Sequence, residues 1–109
     1  MVRTDSRRYP RIKCRVIVDH LGPTLDLSAG GLRVLTARPA PPGAEVQLAF
    51  QMPETELQLH CHGRVVHVLR SPIDQDLFEI GIQFQRMMTR HRAAIQAYVG
   101  ERVDQRVPV

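Results

Sequence analysis

The feature that most limits what this chain can become is a period of two. From Leu77 to Phe84, Phe78, Ile80, Ile82 and Phe84 alternate with polar or small residues, the cleanest such run in the sequence. Successive side chains on an extended backbone point to opposite faces, so the pattern specifies a strand with one face buried. It recurs. Ile12, Cys14, Val16 and Val18 alternate through Ile12 to Asp19, and Val46, Leu48 and Phe50 alternate through Glu45 to Gln51. Leu57, Leu59 and Cys61 share a face of a long run from Glu56 to Leu69, where Gly63 is expected to shift the phase through a bulge. Shorter strands are expected at Thr24 to Leu27 and Leu32 to Leu35.

The breaks between the runs are turn-forming. Gly22-Pro23 reads as a turn, Ser28 to Gly31 as another, Met52-Pro53-Glu54-Thr55 as a hairpin connection and Ser71 to Asp76 as a polar loop. Arg38-Pro39-Ala40-Pro41-Pro42-Gly43 can be neither helix nor interior strand, because its three prolines remove donors and fix φ. The period becomes helical only near Met87. Met87, His91, Ala94, Ile95, Tyr98 and Val99 then fall on one stripe, and Gly100 reads as a helix stop. Short connections favour antiparallel pairing, and a small sheet hides its edges by closing. The expected fold is all-β with one helix: a six-stranded antiparallel β-barrel and a C-terminal α-helix over about 87–100. Residues 7–100 form the domain, 1–6 are a flexible N-terminus and 101–109 a loose tail.

With no Trp and five Phe or Tyr, the core must come from Val, Leu, Ile and Met. Cys14 and Cys61 are far apart and lack metal or redox spacing, so they read as two reduced core thiols. There is no apolar leader and no run long enough to span a membrane, so a cytoplasmic location is expected.

Charge is distributed unevenly. Fourteen of the fifteen Lys and Arg residues are Arg, and Arg3, Arg7, Arg8, Arg11, Lys13 and Arg15 crowd the first fifteen positions. Genomic composition accounts for an Arg bias in general; a basic arm at one end suggests an anionic partner. Arg7-Arg8-Tyr9-Pro10-Arg11 offers three guanidiniums beside a helix-denying proline. Extended, Arg7 and Arg11 would stand roughly 12–14 Å apart, so each can serve a different part of one ligand. Guanidinium meets guanine O6 and N7 bidentately, stacks on the ring and binds phosphate. Asp26-Leu27-Ser28-Ala29-Gly30-Gly31 supplies the complement. Asp26 can accept from guanine N1–H and N2–H₂, Ser28 can donate its hydroxyl or cap its own turn, and Gly30 and Gly31 permit close backbone approach. The plainer reading of these residues is a solvated arm and a glycine turn.

Arg7-x-x-x-Arg11 followed by Asp26-x-Ser28-x-x-Gly31 resembles the two-part signature of the PilZ domain family. Gly31-Leu32-Arg33-Val34, Gly63-Arg64-Val65-Val66 and Ile80-Gly81-Ile82-Gln83-Phe84 are similar to its later strands, so the likeness covers about residues 6–100. It implies a barrel with a C-terminal helix that binds cyclic di-GMP, with an arginine arm that is flexible when empty and folds over the ligand. The implied ligand residues are Arg7, Arg8, Arg11, Asp26, Ser28, Gly30 and Gly31, with Arg33 and Arg64 as accessory candidates. Where some relatives carry a third Arg before the motif, Ser6 stands here, which points to one cyclic di-GMP per domain unless Arg3 or Arg8 substitutes.

No cofactor beyond that ligand is expected, and no metal: on a strand His60 and His62 share a face while Cys61 points away, and zinc needs three or four protein ligands. No nucleophile–base order, paired carboxylates or phosphate loop suggests an enzyme. The expected partners are cyclic di-GMP and an unidentified protein. The rival readings are a ligand-free PilZ-like adaptor, as in type IV pilus assembly or motility, and a small basic barrel for single-stranded nucleic acid. The second rival is disfavoured by the few aromatics available for stacking.

Overall fold

The computed structural model describes residues 9–106. Seven strands precede one helix: β1 (Arg11–Lys13), β2 (Ile17–Val18), β3 (Gly22–Ser28), β4 (Gly31–Thr36), β5 (Glu45–Gln51), β6 (Gln58–Arg70), β7 (Phe78–Met87) and α1 (Thr89–Arg106). All pairing is antiparallel, in the order β1-β3-β4-β7-β6-β5, with β2 also on β3. The mostly antiparallel sheet with one C-terminal helix is the fold class the sequence specifies.

The barrel itself is incomplete as a ladder. Among the described residues no strand pairing joins β5 to β2. One backbone hydrogen bond, from Asp19 N–H to the Ala49 carbonyl at 2.9 Å, spans that seam.

Seven strands stand where six runs were expected because the first run divides. Thr24 on β3 is the cause. Its Oγ1 accepts from Val16 N–H at 2.8 Å and donates to the Cys14 carbonyl at 2.6 Å. A hydroxyl thus takes over groups that a continuous ladder would have used. The β3–β4 register shifts over the same stretch, between Thr24 and Asp26. The turn expected at Gly22-Pro23 lies earlier: Leu21 N–H bonds the Val18 carbonyl, and His20 takes φ 67. Gly22 and Pro23 are already paired with Val18 and Ile17.

On β6 the register shifts twice, between His62 and Gly63 and between Val65 and His67. Burial alternates strictly through the first shift, with Leu59, Cys61, Gly63 and Val65 buried, and breaks past the second, where His67 and Val68 are both half-buried. This bulge, three residues beyond Gly63, turns Val66 and His67 toward the cleft described below.

Leu27, Leu32, Val34, Leu48, Phe50, Leu59, Val65 and Ile80 are essentially inaccessible. Each stabilises the fold by about 1.5–3 kcal/mol through removal of apolar surface from water. Helix α1 packs on β1 and β3 and adds Ile95 and Val99, with His91 buried on the same stripe. Met87 ends β7 instead of opening the helix, and α1 begins at Thr89. Gly100 does not stop it. Arg102 lies 3.6 Å over the Tyr98 ring and meets Glu54 of the β5–β6 loop at 2.6 Å, which anchors the following turn.

Both cysteines are free; Cys61 is buried and Cys14 half-buried. Burial pushes the Cys61 thiol up to about 11. Burial also raises Cys14, opposed by a hydrogen bond with Tyr98.

Two outcomes follow for stability. Gly100 is helical with nothing within 4 Å of an added Cβ, so Gly100→Ala should stabilise the chain by about 0.5–1 kcal/mol, read as a higher urea midpoint. The Cys61 thiol is held protonated in the fold but ionises near 9.0 when released, so its contribution is whole below pH 9.0 and is lost as pH rises toward about 11. Unfolding midpoints should fall across that interval, and less steeply in Cys61→Ala.

Candidate functional site

Register brings the two sequence motifs together. Arg11 of β1 lies opposite Ser28 of β3, and Lys13 opposite Asp26. Asp26 in turn faces Arg33 of β4, Arg33 faces Gly81 of β7, and Gly81 faces His67 of β6. Directly opposed residues share a face, so one row of side chains crosses five strands.

Asp26 is the acid of this row, with a side chain only 6% exposed. Its Oδ1 accepts from Arg33 N–H at 3.1 Å, and its Oδ2 from Arg33 Nε–H at 2.7 Å. Arg11 Nε stands 3.8 Å from Oδ1. Arg33 also reaches Glu79 on β7 at 3.4 Å. A buried carboxylate is tolerated because charged and backbone donors replace its water. Arg11 Nε is itself buried and finds no hydrogen-bond acceptor among the described residues.

Ser28 serves its own turn. Its Oγ accepts from Gly30 N–H and Gly31 N–H, both at 3.1 Å, and donates to the Gly31 carbonyl at 3.3 Å. Of the two roles the sequence allowed, turn cap or ligand donor, the resting arrangement has the first. Gly31 is required by proximity: an added Cβ would lie 2.3 Å from the Ile82 carbonyl oxygen. At Gly30 it would lie 2.9 Å from the Tyr9 ring, so the missing side chain is what lets Tyr9 settle on the turn.

These residues border an open cleft of about 590 Å³, lined by Tyr9, Arg11, Ser28, Gly30, Gly31 and Arg33 together with His67, Gln83 and Arg92. That volume is typical of small-molecule sites. Asp26 does not line it but lies beneath the guanidiniums that do. Arg64, an accessory candidate, is not brought in; it points at Glu45 on β5 at 3.5 Å, where both side chains are well exposed. Arg7 and Arg8 lie outside the described residues, next in sequence to Tyr9 at the rim.

Sequence reasoning missed Tyr9, His67, Gln83 and Arg92. Gly81 offered a partial signal, since a glycine inside an alternating strand marks a close approach. Here the His67 ring occupies the space a Cβ would fill. Arg92 gave none, because only the packing of α1 carries it to the Ala29 carbonyl, at 2.9 Å.

A second opening, of about 620 Å³, is lined by Asp19, His20, His60, His62, Arg86 and Met88 among others and contains no residue of either motif. His60 and His62 are exposed and Cys61 buried. Among the described residues no three His, Cys, Asp or Glu side chains converge as metal ligands. No helix of the described residues is long and apolar enough to cross a membrane.

A two-part motif converging on one cleft of an antiparallel sheet with a C-terminal helix defines the class, and the chain belongs to the PilZ domain family, whose model matches residues 5–101. Among solved structures it is similar to the Bacillus subtilis inhibitor of motility MotI/DgrA, with TM-score 0.84 and 19% identity over 98% of this chain and 56% of that one. YcgR in complex with c-di-GMP from Escherichia coli has TM-score 0.74 and 16% identity, covering 92% of this chain and 47% of that one. The K. pneumonia MrkH–c-di-GMP complex has TM-score 0.73 and 18% identity, covering 94% and 54%. The chain thus spans about half the length of these neighbours. No curated protein matches it.

Because Ser28 Oγ satisfies two backbone N–H groups of a buried turn, Ser28→Ala should destabilise the ligand-free chain by about 1–3 kcal/mol. Urea denaturation without nucleotide checks this. An unchanged midpoint would return Ser28 to a purely ligand-facing role.

Proposed function

We propose that this chain is a cyclic di-GMP receptor of the cytoplasm, without catalysis of its own, in which bound nucleotide changes the surface offered to a protein partner. Arg11 and the arm residues Arg7 and Arg8 bind the phosphodiesters and guanine edges. The Ser28–Gly31 turn lets the ligand approach the backbone. Asp26 aims Arg11 and Arg33, and it accepts from guanine N1–H if either guanidinium moves onto the ligand. Arg33 is an accessory contact; Arg64, tied to Glu45, is a weaker candidate.

One observation carries the reading: Arg11 has a buried Nε with no acceptor among the described residues, held 3.8 Å from Asp26 at the border of the cleft that contains the glycine turn. A buried donor without a partner is costly, and a phosphate or guanine acceptor at that position removes the cost. Membership of the family and two solved neighbours in complex with c-di-GMP support the ligand class.

Calorimetric titration with cyclic di-GMP tests it. The wild-type chain should bind, with amide shifts at residues 9–11 and 26–31. Arg11→Ala should lose about 1.5–3 kcal/mol, roughly ten- to a hundredfold in affinity, while still folding cooperatively. Equal affinity in wild type and Arg11→Ala would remove Arg11 from the site.

A further inference from the structure

Three described guanidiniums border the cleft, and they differ in what neutralises them. Arg11 stands against Asp26 at 3.8 Å. Arg33 meets Asp26 at 2.7 Å and Glu79 at 3.4 Å. Arg92 has no carboxylate within ion-pair distance among the described residues. Its partners are neutral: Nη1 donates to the Ala29 carbonyl at 2.9 Å, and Cζ lies 5.7 Å from the centre of the Tyr9 ring.

Arg92 is also placed against the preference of its helix. It sits in the first turn of α1, which contains no acidic residue. The positive end of a helix favours anions and disfavours cations, so an arginine here adds to a charge already of its own sign. The side chain is half-buried, where solvent screens it less than on the open surface. A guanidinium has five N–H donors and one carbonyl engages only part of the fork. The remainder, together with the uncompensated charge, is available to an anion in the cleft.

We infer that Arg92 is a further ligand-binding residue of this cleft: it takes a phosphodiester oxygen of the bound nucleotide while staying tied to Ala29. This rests on the cyclic di-GMP reading above and extends recognition from the two sequence motifs to helix α1. Ala29 lies inside the Asp26–Gly31 motif and Tyr9 inside the Arg7–Arg11 motif, so the one side chain touches both halves of the site.

The test separates binding from support of the turn. Arg92→Gln removes the charge and keeps an amide donor, though one two bonds nearer the backbone than Nη1; Arg92→Ala removes both. Cyclic di-GMP is titrated into wild type and both variants at two salt concentrations, and unfolding midpoints are taken without nucleotide. Arg92→Gln should keep the wild-type midpoint yet bind about ten- to a hundredfold more weakly. Its affinity should also fall less steeply with added salt than that of wild type. Wild-type affinity and salt dependence in Arg92→Gln would overturn the inference while leaving the receptor reading intact. A wild-type chain that does not bind cyclic di-GMP overturns both.

Discussion

The carboxylate of Asp26 is the interaction on which the rest depends. An unpaired charge in that position would cost several kcal/mol, and removing its partners would leave the penalty in place. Its oxygens take the Arg33 main chain and side chain, with Arg11 close by. The same contacts hold β3 and β4 together just after their register shifts, and they fix the directions of two guanidiniums. One side chain therefore both joins two strands and orients two guanidiniums beside the cleft. Substitution at this position would disturb both, whichever is measured.

Absent side chains shape the opening as much as present ones. Gly31 lets β4 and β7 approach, Gly81 makes room for the His67 ring, and Gly30 receives Tyr9. Gly31 and Gly81 lie within paired strands, Gly81 beside the β6 register shift, and Gly30 lies in the turn between β3 and β4. The guanidiniums at the rim come from three elements: Arg11 at the start of β1, Arg33 on β4 and Arg92 in the first turn of α1. The result is an open, glycine-lined cleft with basic edges, and the Asp26 carboxylate lies beneath the guanidiniums.

Much of this was legible in the sequence. Period-two alternation located the longer strand regions, because one buried face imposes the pattern directly, and the turn residues between them framed the two short ones. The helix stripe was equally clear through His91, Ile95 and Val99. What failed was punctuation. The Thr24 hydroxyl interrupts a run whose alternation looks unbroken, and the turn at His20 uses a left-handed conformation that the neighbouring Gly22 seemed better suited to supply. Gly100 looked terminal because the Arg102–Glu54 contact that sustains the helix joins residues 48 positions apart. At the candidate site, spacing along the chain marked Arg11, Asp26, Ser28 and the glycines, which the fold gathers at or beneath one cleft. It could not reveal Arg92 or His67, which arrive through packing, nor that Asp26 would lie under the arginines instead of beside them.

The seam between β2 and β5 changes how the sheet can respond to load. With one backbone bond, Asp19–Ala49, across it among the described residues, the sheet resembles a split ring whose gap is closed mainly by side-chain packing. The bond itself is worth about 0.5–1.5 kcal/mol, far less than a seven-residue ladder such as β5–β6, and packing of Val18 and the buried face of β5 carries the rest of the seam. Curvature can therefore relax on one side of the molecule while every strand pair keeps its register. A split ring yields at its gap before it yields anywhere else.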